Sequence, residues 1–475
     1  MRILLIKSGN TQARAPGITP PLGLMYIASY LREKRADDVR IFDTRLYKDS
    51  LDQISHIIRE LRPDVVGISA LTLEAPAMFQ IACLVKQYTC APVVVGGPHI
   101  TSVPEEVMKN KNIDFGVIGE GEITVKELLD ALDRSKSLEN IQGLIYRNNG
   151  NIKMNCARKY IDDIDQLPFP AFDLVEIEKY SKKQSMSHVG IRRYMVMLTS
   201  RGCPFHCTYC HNILGKKFRA RSVENVLEEM NILINDYHIN DFEIIDDISN
   251  FDKERIKSIF KGITNNNWKV RLSFPNGVRA DMLDEETISL MKKAGTVEIA
   301  IAIETASERL QKLVKKNLKL EKVRRIIDIA VNEGIFLCGF FMVGFPTETE
   351  EELKQTINFA CKSRLHLAIF FIVNPFNGTE LRKQIEEKKA IKDVQYEDFD
   401  YTAMAFNASD IFDKRFHWLH KLAYIRFYAN PVRIVRIIKD KPMLNDIFIR
   451  FEGLLRNYLP VPRGNRKFKI HTKNV

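Results

Sequence analysis

Over the first 150 positions, short apolar runs alternate with stretches whose apolar residues recur at helical spacing. Ile3–Ile6, Val39–Phe42, Val65–Ser69, Pro92–Val95 and Phe115–Ile118 read as strands, each followed by small or polar residues. Pro21–Glu33 places Leu24, Ile27, Ala28 and Leu31 on one helical face, and Leu51–Leu61 reads as a helix stopped by Pro63. This alternation predicts an α/β fold class, with a doubly wound, Rossmann-like parallel sheet over 1–150. Ligands of such sheets sit at the carboxyl ends of the strands. That singles out Ser69-Ala70-Leu71-Thr72, Gly96-Gly97-Pro98-His99 and Gly119-Glu120-Gly121-Glu122.

Residues 151–185 break the rhythm. They hold Asp162, Asp163 and Asp165, then Leu167-Pro168-Phe169-Pro170, and read as a linker. The alternation restarts with strands over Tyr194–Thr199, Phe242–Ile245, Val270–Phe274, Glu298–Ile303, Phe336–Val343 and Ala368–Val373. Between them lie helices over Val223–Tyr237, Lys253–Ile263, Glu285–Lys293, Leu320–Asn332 and Glu348–Lys362. Six βα units predict a partial (β/α)6 TIM-like barrel over 186–395, with chemistry at the strand C-termini. Residues 396–475 are expected to be mainly helical and basic: His417–Lys439 is helical in pattern with Pro431 breaking it, and Pro460–Val475 reads as a poorly ordered tail.

The chain has 475 residues, 45% hydrophobic and 28% charged, which excludes disorder of the whole. No apolar run approaches the ~18 residues of a membrane span. The N-terminal MRILLIKSG is too short in its apolar core for a signal peptide, so a cytoplasmic protein is expected. The net charge of +11 is uneven: Ile411–Val475 carries 15 Lys+Arg against 4 Asp+Glu, and the remainder balances at 56 of each. A basic segment is a solvated face or a meeting place for an anionic partner.

Eight cysteines in a large cytosolic chain are not a disulfide framework. Five are scattered, but Cys203, Cys207 and Cys210 fall within eight residues directly after the first barrel strand. Gly202 and Pro204 suit a loop that turns the three thiols inward. Three thiolates hold three irons of a cubane and leave the fourth iron open, whereas four would close it. A zinc site completed by His206 or His211, or three buried cysteines, are the other readings.

Cys-x3-Cys-x2-Cys after the first strand of a βα barrel resembles the signature of the radical S-adenosylmethionine superfamily. The resemblance implies metal ligation by Cys203, Cys207 and Cys210, which are also the catalytic residues, in a 4Fe-4S cluster whose open iron is chelated by S-adenosylmethionine. Reductive cleavage then yields methionine and a 5′-deoxyadenosyl radical. It also implies cofactor-binding roles along about residues 190–375. Tyr209 takes the position bordering the adenine, and Asp246 and Asp247 that of contacts to the methionine moiety. Arg279 suits a carboxylate, Glu304 suits ribose hydroxyls or the amino group, and Gly339, Gly344 and Pro346 belong to the motif beside the adenine. Read locally, Asp246 and Asp247 cap a helix, Arg279 and Glu304 form a barrel ion pair, and Gly344-Pro346 is a turn.

The doubly wound domain ahead of the barrel is similar to the cobalamin-binding class of this superfamily. Pro20-Pro21-Leu22-Gly23-Leu24 and Leu167-Pro168-Phe169-Pro170-Ala171 match that class. The likeness implies that Gly96, Gly97, Gly119, Glu120 and Gly121 let cobalamin approach the backbone, and that Ser69 and Thr72 hydrogen-bond its nucleotide tail. The Asp-x-His-x-x-Gly motif is absent after the first strand, where Lys7-Ser8-Gly9-Asn10 stands. Histidine therefore does not ligate cobalt by that route; His99 is an alternative ligand or a local hydrogen-bond former.

The resemblance implies a cobalamin-dependent methyltransferase acting on an unactivated carbon with two molecules of S-adenosylmethionine per turnover. A cyclase, oxidase or other carbon-skeleton rearrangement enzyme on the same scaffold is the alternative, followed by a non-catalytic cobalamin-binding protein. Expected partners are a small-molecule substrate, lipid-like in one reading, and an external electron donor such as flavodoxin or ferredoxin. The oxygen-labile cluster implies an anaerobic or protected setting. No nucleic acid is expected. Ala423, Tyr424, Phe427, Tyr428, Val432, Ile434, Val435 and Ile438, interleaved with Arg426, Arg433, Arg436 and Lys439, make a basic amphipathic surface. It either packs its apolar side on the barrel or makes peripheral contact with an anionic membrane.

Overall fold

The structure is a computed structural model that describes residues 1–9, 17–190, 192–211, 213–387 and 407–441. The expected tail Pro460–Val475 lies outside the described residues. The first sheet contains β1 (Arg2–Lys7), β2 (Asp38–Asp43), β3 (Val65–Ser69), β4 (Val93–Gly96), β5 (Phe115–Val117), β6 (Leu144–Asn148) and β7 (Asn151–Met154). Their spatial order is β2-β1-β3-β4-β5-β6-β7. The first five are parallel, and β6 and β7 are antiparallel. Parallel strands are covered on both faces and so read as unbroken apolar runs. Helices Leu22–Arg35 and Glu122–Asp133 cover one face, and Ser50–Leu61 and Ala75–Tyr88 the other. Strand order reverses at β1, so Lys7 and Ser69, paired across the ends of β1 and β3, flank the crevice.

The β6–β7 hairpin was not among the expected elements, and it carries the sheet past residue 150 to Met154. Asn149 (φ 48°) and Gly150 (φ 82°) make its turn, the two-residue left-handed pair that matches strand twist.

The second half contains β8 (Met195–Met197), a short antiparallel clip of β9 (Ser200–Arg201) with β10 (Arg219–Ala220), then β11 (Asp241–Ile244), β12 (Arg271–Val278), β13 (Thr296–Glu304), β14 (Phe336–Val343) and β15 (Leu367–Ile372). Six of these form one parallel sheet, β15-β14-β13-β12-β11-β8, which is an open, partial barrel. Its helices start at side-chain caps: Ser222, Asp252, Asp284, Ser307 and Thr349 each accept a first-turn amide. Glu352 reaches back to the Thr349 amide and completes a capping box there.

Helix Asp413–Tyr428 buries Phe416, Leu419, Ala423 and Phe427 in the barrel core. The Tyr424 and Tyr428 hydroxyls accept from the amides of Phe370 and Ala368 at 3.0 and 3.3 Å, which covers the free edge of β15. Pro431 opens a separate helix, Pro431–Asp440. Among the described residues no helix is long and apolar enough to cross a membrane.

Candidate active site

The carboxyl ends of both parallel sheets face one cavity of about 670 Å³. Cys203, Cys207 and Cys210 line it from the barrel side, with Tyr209, Asp247, Asn276, Arg279 and Glu304. From the other side come Lys7, Ser69, Gly96, Gly97, Gly119, Glu120 and Gly121.

The cysteine loop is held by its backbone. Gly202 sits at φ 81°, and a Cβ there would lie 2.4 Å from the Lys217 carbonyl oxygen, so only glycine fits. Its amide donates to Asp247 at 3.2 Å. The Cys203 amide donates to the Gly215 carbonyl and that of Thr208 to the Val314 carbonyl. The Cys207 thiol is lowered to about 6 by its hydrogen bond with Cys210, and the Lys316 ammonium acts in the same direction. Among the described residues no three His, Cys, Asp or Glu side chains gather around one metal-ion position. A cubane makes no such demand, because each thiolate takes its own iron. Three cysteines facing one cavity fit the open cluster; His211 lines the same cavity, but it and the cysteines are not gathered around one position as a closed zinc site requires.

Next to the triad lies a charged array. The Tyr209 hydroxyl donates to Glu304 at 3.1 Å, and Lys316 Nζ reaches the same carboxylate oxygen at 3.3 Å. Burial opposes the Lys316 charge, but Glu304 and the thiols outweigh it and raise its pKa. Glu304 ends β13 at φ 68°, a strained conformation for a side-chain-bearing residue, and this turns it toward the cavity. Arg279 pairs with Asp281 at 3.0 Å and lies 3.9 Å above the Phe205 ring. Asn276 donates to the Asp246 carbonyl at 2.9 Å.

The opposite wall is built for close approach. A Cβ at Gly96 or at Gly119 would meet nothing within 4 Å, so both open onto the cavity. Gly97, at φ 94°, would crowd Ser69 Oγ at 2.9 Å. Leu5, Ile27, Val65, Val94 and Val117 give that side its apolar floor. A bare backbone above an apolar floor fits a large flat macrocycle.

Several expected contacts lie elsewhere. Asp246 is spent inside the barrel, accepting from the Thr199 amide and from the Thr199 and Ser200 hydroxyls at 2.6 Å each. His99 is fully buried against Phe79 and does not line the cavity, which removes it as a cobalt ligand in this geometry. Thr72 belongs to a 3-10 turn outside the cavity wall. Gly339 and Gly344 are fixed by packing, the first against Leu365 and Phe341 and the second against Phe416, and Pro346 is buried beside them. None of the three lines the cavity. Glu120 does line it, but its carboxylate is committed. Arg201 and Arg219 both donate to it at 2.9 Å, the Ile161 amide adds a third bond at 2.8 Å, and Arg201 also reaches Glu122 at 2.8 Å. This buried network ties the two halves together at the cavity rim. Sequence reasoning missed Arg201, Arg219 and Lys316, which stand in no spaced motif. It also missed Lys7, whose ammonium is buried against Glu74 and whose pKa burial lowers.

The B12 binding domain matches residues 11–129, and the radical SAM superfamily matches residues 197–360. An uncharacterized methyltransferase of Pyrococcus horikoshii is 34% identical over 466 residues, 96% of this chain and 99% of that protein. The chain belongs to the cobalamin-binding radical SAM family. The two matched models make S-adenosylmethionine and cobalamin its cofactors. Cytidylyl-2-hydroxyethylphosphonate methyltransferase of Streptomyces wedmorensis is 30% identical and covers 81% of each chain. Cyclases stand among the less similar relatives. The fold is shared with the radical S-adenosylmethionine methyltransferase TsrM of Kitasatospora setae, whose structure holds cobalamin and a 4Fe-4S cluster. That match has a TM-score of 0.67 at 20% identity and covers 82% of this chain and 75% of that one.

Proposed function

We propose that the chain transfers a methyl group to an unactivated carbon of a small molecule bound between its two halves. The supporting observation is that the glycine wall of the B12 half and the cysteine loop of the barrel line a single cavity, so both cofactors would act on one substrate. When bound, the cluster with S-adenosylmethionine supplies a hydrogen-abstracting adenosyl radical, and cobalamin supplies the methyl group.

The chain's own residues hold and orient these groups. Cys203, Cys207 and Cys210 are the cluster ligands. Tyr209 offers its ring beside them. Glu304, with its charge balanced by Lys316, accepts hydrogen bonds from an amino group or ribose hydroxyl. Arg279, Asn276 and Asp247 complete a polar rim for the methionine part. Gly96, Gly97 and Gly119 take the macrocycle, with Ser69 near its tail. The Glu120–Arg201–Arg219 network closes the rim against water, which protects a radical from quenching. An external one-electron donor of the flavodoxin or ferredoxin type and a cytoplasmic setting belong to this reading.

Anaerobic reconstitution with iron, sulfide and hydroxocobalamin, followed by turnover with methyl-labelled S-adenosylmethionine, tests it. Retained cobalt and a product heavier by a CH2 unit are expected. A radical product of unchanged carbon count would move the assignment to the cyclase and rearrangement chemistry of the more distant relatives. Failure to cleave S-adenosylmethionine under strong reductant would leave a cobalamin-binding protein.

A further inference from the structure

Helix Pro431–Asp440 is mounted inside out. Its inward arc is polar apart from the half-buried Ile437. Arg433, 2% exposed, lies 3.7 Å over the Phe427 ring and donates to the carbonyls of Leu365 at 3.1 Å, Cys361 at 3.0 Å and Ser363 at 2.8 Å. Arg436 donates to the Arg364 carbonyl at 3.0 Å, and Asp440 pairs with His366 at 3.1 Å. The arginine bonds serve the Cys361 carbonyl in the last turn of helix Glu350–Lys362, where a cation is favoured, and the carbonyls of Ser363, Arg364 and Leu365 just beyond it. They also fix the rotation of Pro431–Asp440 about its axis. The outward arc is Pro431, Val432, Ile434, Val435, Ile438 and Lys439. Val432, Val435 and Ile438 are 64%, 65% and 56% exposed. Of the expected amphipathic surface, Ala423, Tyr424, Phe427 and Tyr428 pack on the barrel, whereas Val432, Ile434, Val435 and Ile438 do not.

A soluble helix ordinarily does the reverse, and a contiguous apolar patch on display marks an interaction surface. The neighbouring helix Asp413–Tyr428 exposes two further large apolar side chains, Trp418 and Ile425. Lys421, Arg426 and Lys439 stand exposed among these residues. Asp413 and Lys414, further along, offset one another. We infer that this face docks on an anionic lipid bilayer, with the apolar arc in the headgroup boundary and the basic residues against lipid phosphates.

Charge decides among the occupants. A second copy docked by two-fold symmetry would place two sets of Lys421, Arg426 and Lys439 in one interface, because the same patch is used on both sides. A bilayer supplies the opposite charge and buries the apolar arc at once. The excess of 15 Lys+Arg over 4 Asp+Glu from Ile411 onward has the same sign. The face also lies by Leu365, ahead of β15, whereas the cysteines lie at the carboxyl ends of the strands. The Pro431–Asp440 part of the surface therefore lies at the strand end opposite the cavity, as suits an anchor for the enzyme.

Flotation of the full-length reconstituted enzyme with phosphatidylcholine vesicles, with and without phosphatidylglycerol, tests the inference. Binding to the phosphatidylglycerol vesicles that weakens with salt is expected, and little binding to phosphatidylcholine alone. Val435→Asp together with Ile438→Asp should cut the bound fraction roughly tenfold or more, with iron and cobalt content unchanged. Lys421→Glu with Lys439→Glu, which alters no apolar contact, should remove the preference for the anionic vesicles; it decides the matter even if the aspartate pair misfolds. No binding at low salt, or binding indifferent to both pairs of substitutions, overturns the inference. So does a dimer that the aspartate pair dissociates, or a fall in melting temperature showing that the chain itself covers this face.

Discussion

Arg201 Nη1 donates to Glu120 Oε1 at 2.9 Å, so the residue that leads into the cysteine loop is bonded to the glycine wall of the other half. Both side chains are buried, 6% and 4% exposed, and Arg219 shares the same carboxylate. Removing Glu120 strands two buried guanidinium groups, of which only Arg201 keeps a second carboxylate, Glu122. Breaking a buried pair this way costs about 3–5 kcal/mol. Glu120→Ala should lower the urea midpoint accordingly and weaken cobalamin retention, read by equilibrium unfolding and by cobalt after gel filtration. Glu122→Gln, which leaves Arg201 one partner, should cost less.

Gly96 and Gly202 predict opposite outcomes for the same kind of change. A side chain at Gly96 would enter open space in the cavity, so Gly96→Val should move stability within about 0.5 kcal/mol and sharply reduce cobalamin binding. A Cβ at Gly202 would strike the Lys217 carbonyl at 2.4 Å. Gly202→Ala should therefore destabilise the loop and lower cluster content. Cobalt and iron assays beside thermal melts separate the two.

Cys207→Ala should abolish cluster assembly and cleavage of S-adenosylmethionine to background, while the B12 half keeps its cobalt. Iron and sulfide content report the first effect. Stripping iron from the wild-type protein with a chelator should give the same pattern.

His99 predicts a pH dependence of stability. Burial drives its pKa down from 6.5 to about 4, against a small opposing effect of Glu106. The unfolded chain takes up the proton below about pH 6.5 and the folded one only near pH 4. Stability is therefore full above pH 6.5 and falls as pH drops through that window. At 1.36 kcal/mol per unit, the loss approaches about 3 kcal/mol. His99→Gln should flatten this limb in urea titrations between pH 4 and 7.

The helices Glu285–Lys293 and Leu320–Asn332 and the strand Phe336–Val343 lie where periodicity places them, because Pro, Gly and capping residues bound them in the sequence. The β6–β7 hairpin was equally legible from Asn149-Gly150 but was absorbed into the boundary at 150. Cys203, Cys207 and Cys210 were readable because a loop carries all three. Lys316 was not, since it joins the site only when distant segments align, and although Arg201 stands beside Cys203, its partners Glu120 and Glu122 lie 81 and 79 positions away. Asp246 failed differently: its position in the motif was plain, but the Thr199 and Ser200 hydroxyls had already claimed its carboxylate. Nor does periodicity tell which side of helix Pro431–Asp440 faces inward. It groups residues by face, and Arg433 chose the face.

The rim network also bears on how such proteins diversify by recombination. Glu120 comes from one module, and Arg201 and Arg219 from the next. A chimera joined anywhere in 155–190 would inherit an acceptor from one parent and its donors from the other. Chimeras should fold only when the parents agree at those three positions, and at Leu22, Met25 and Tyr26, which the first module adds to the core of the second.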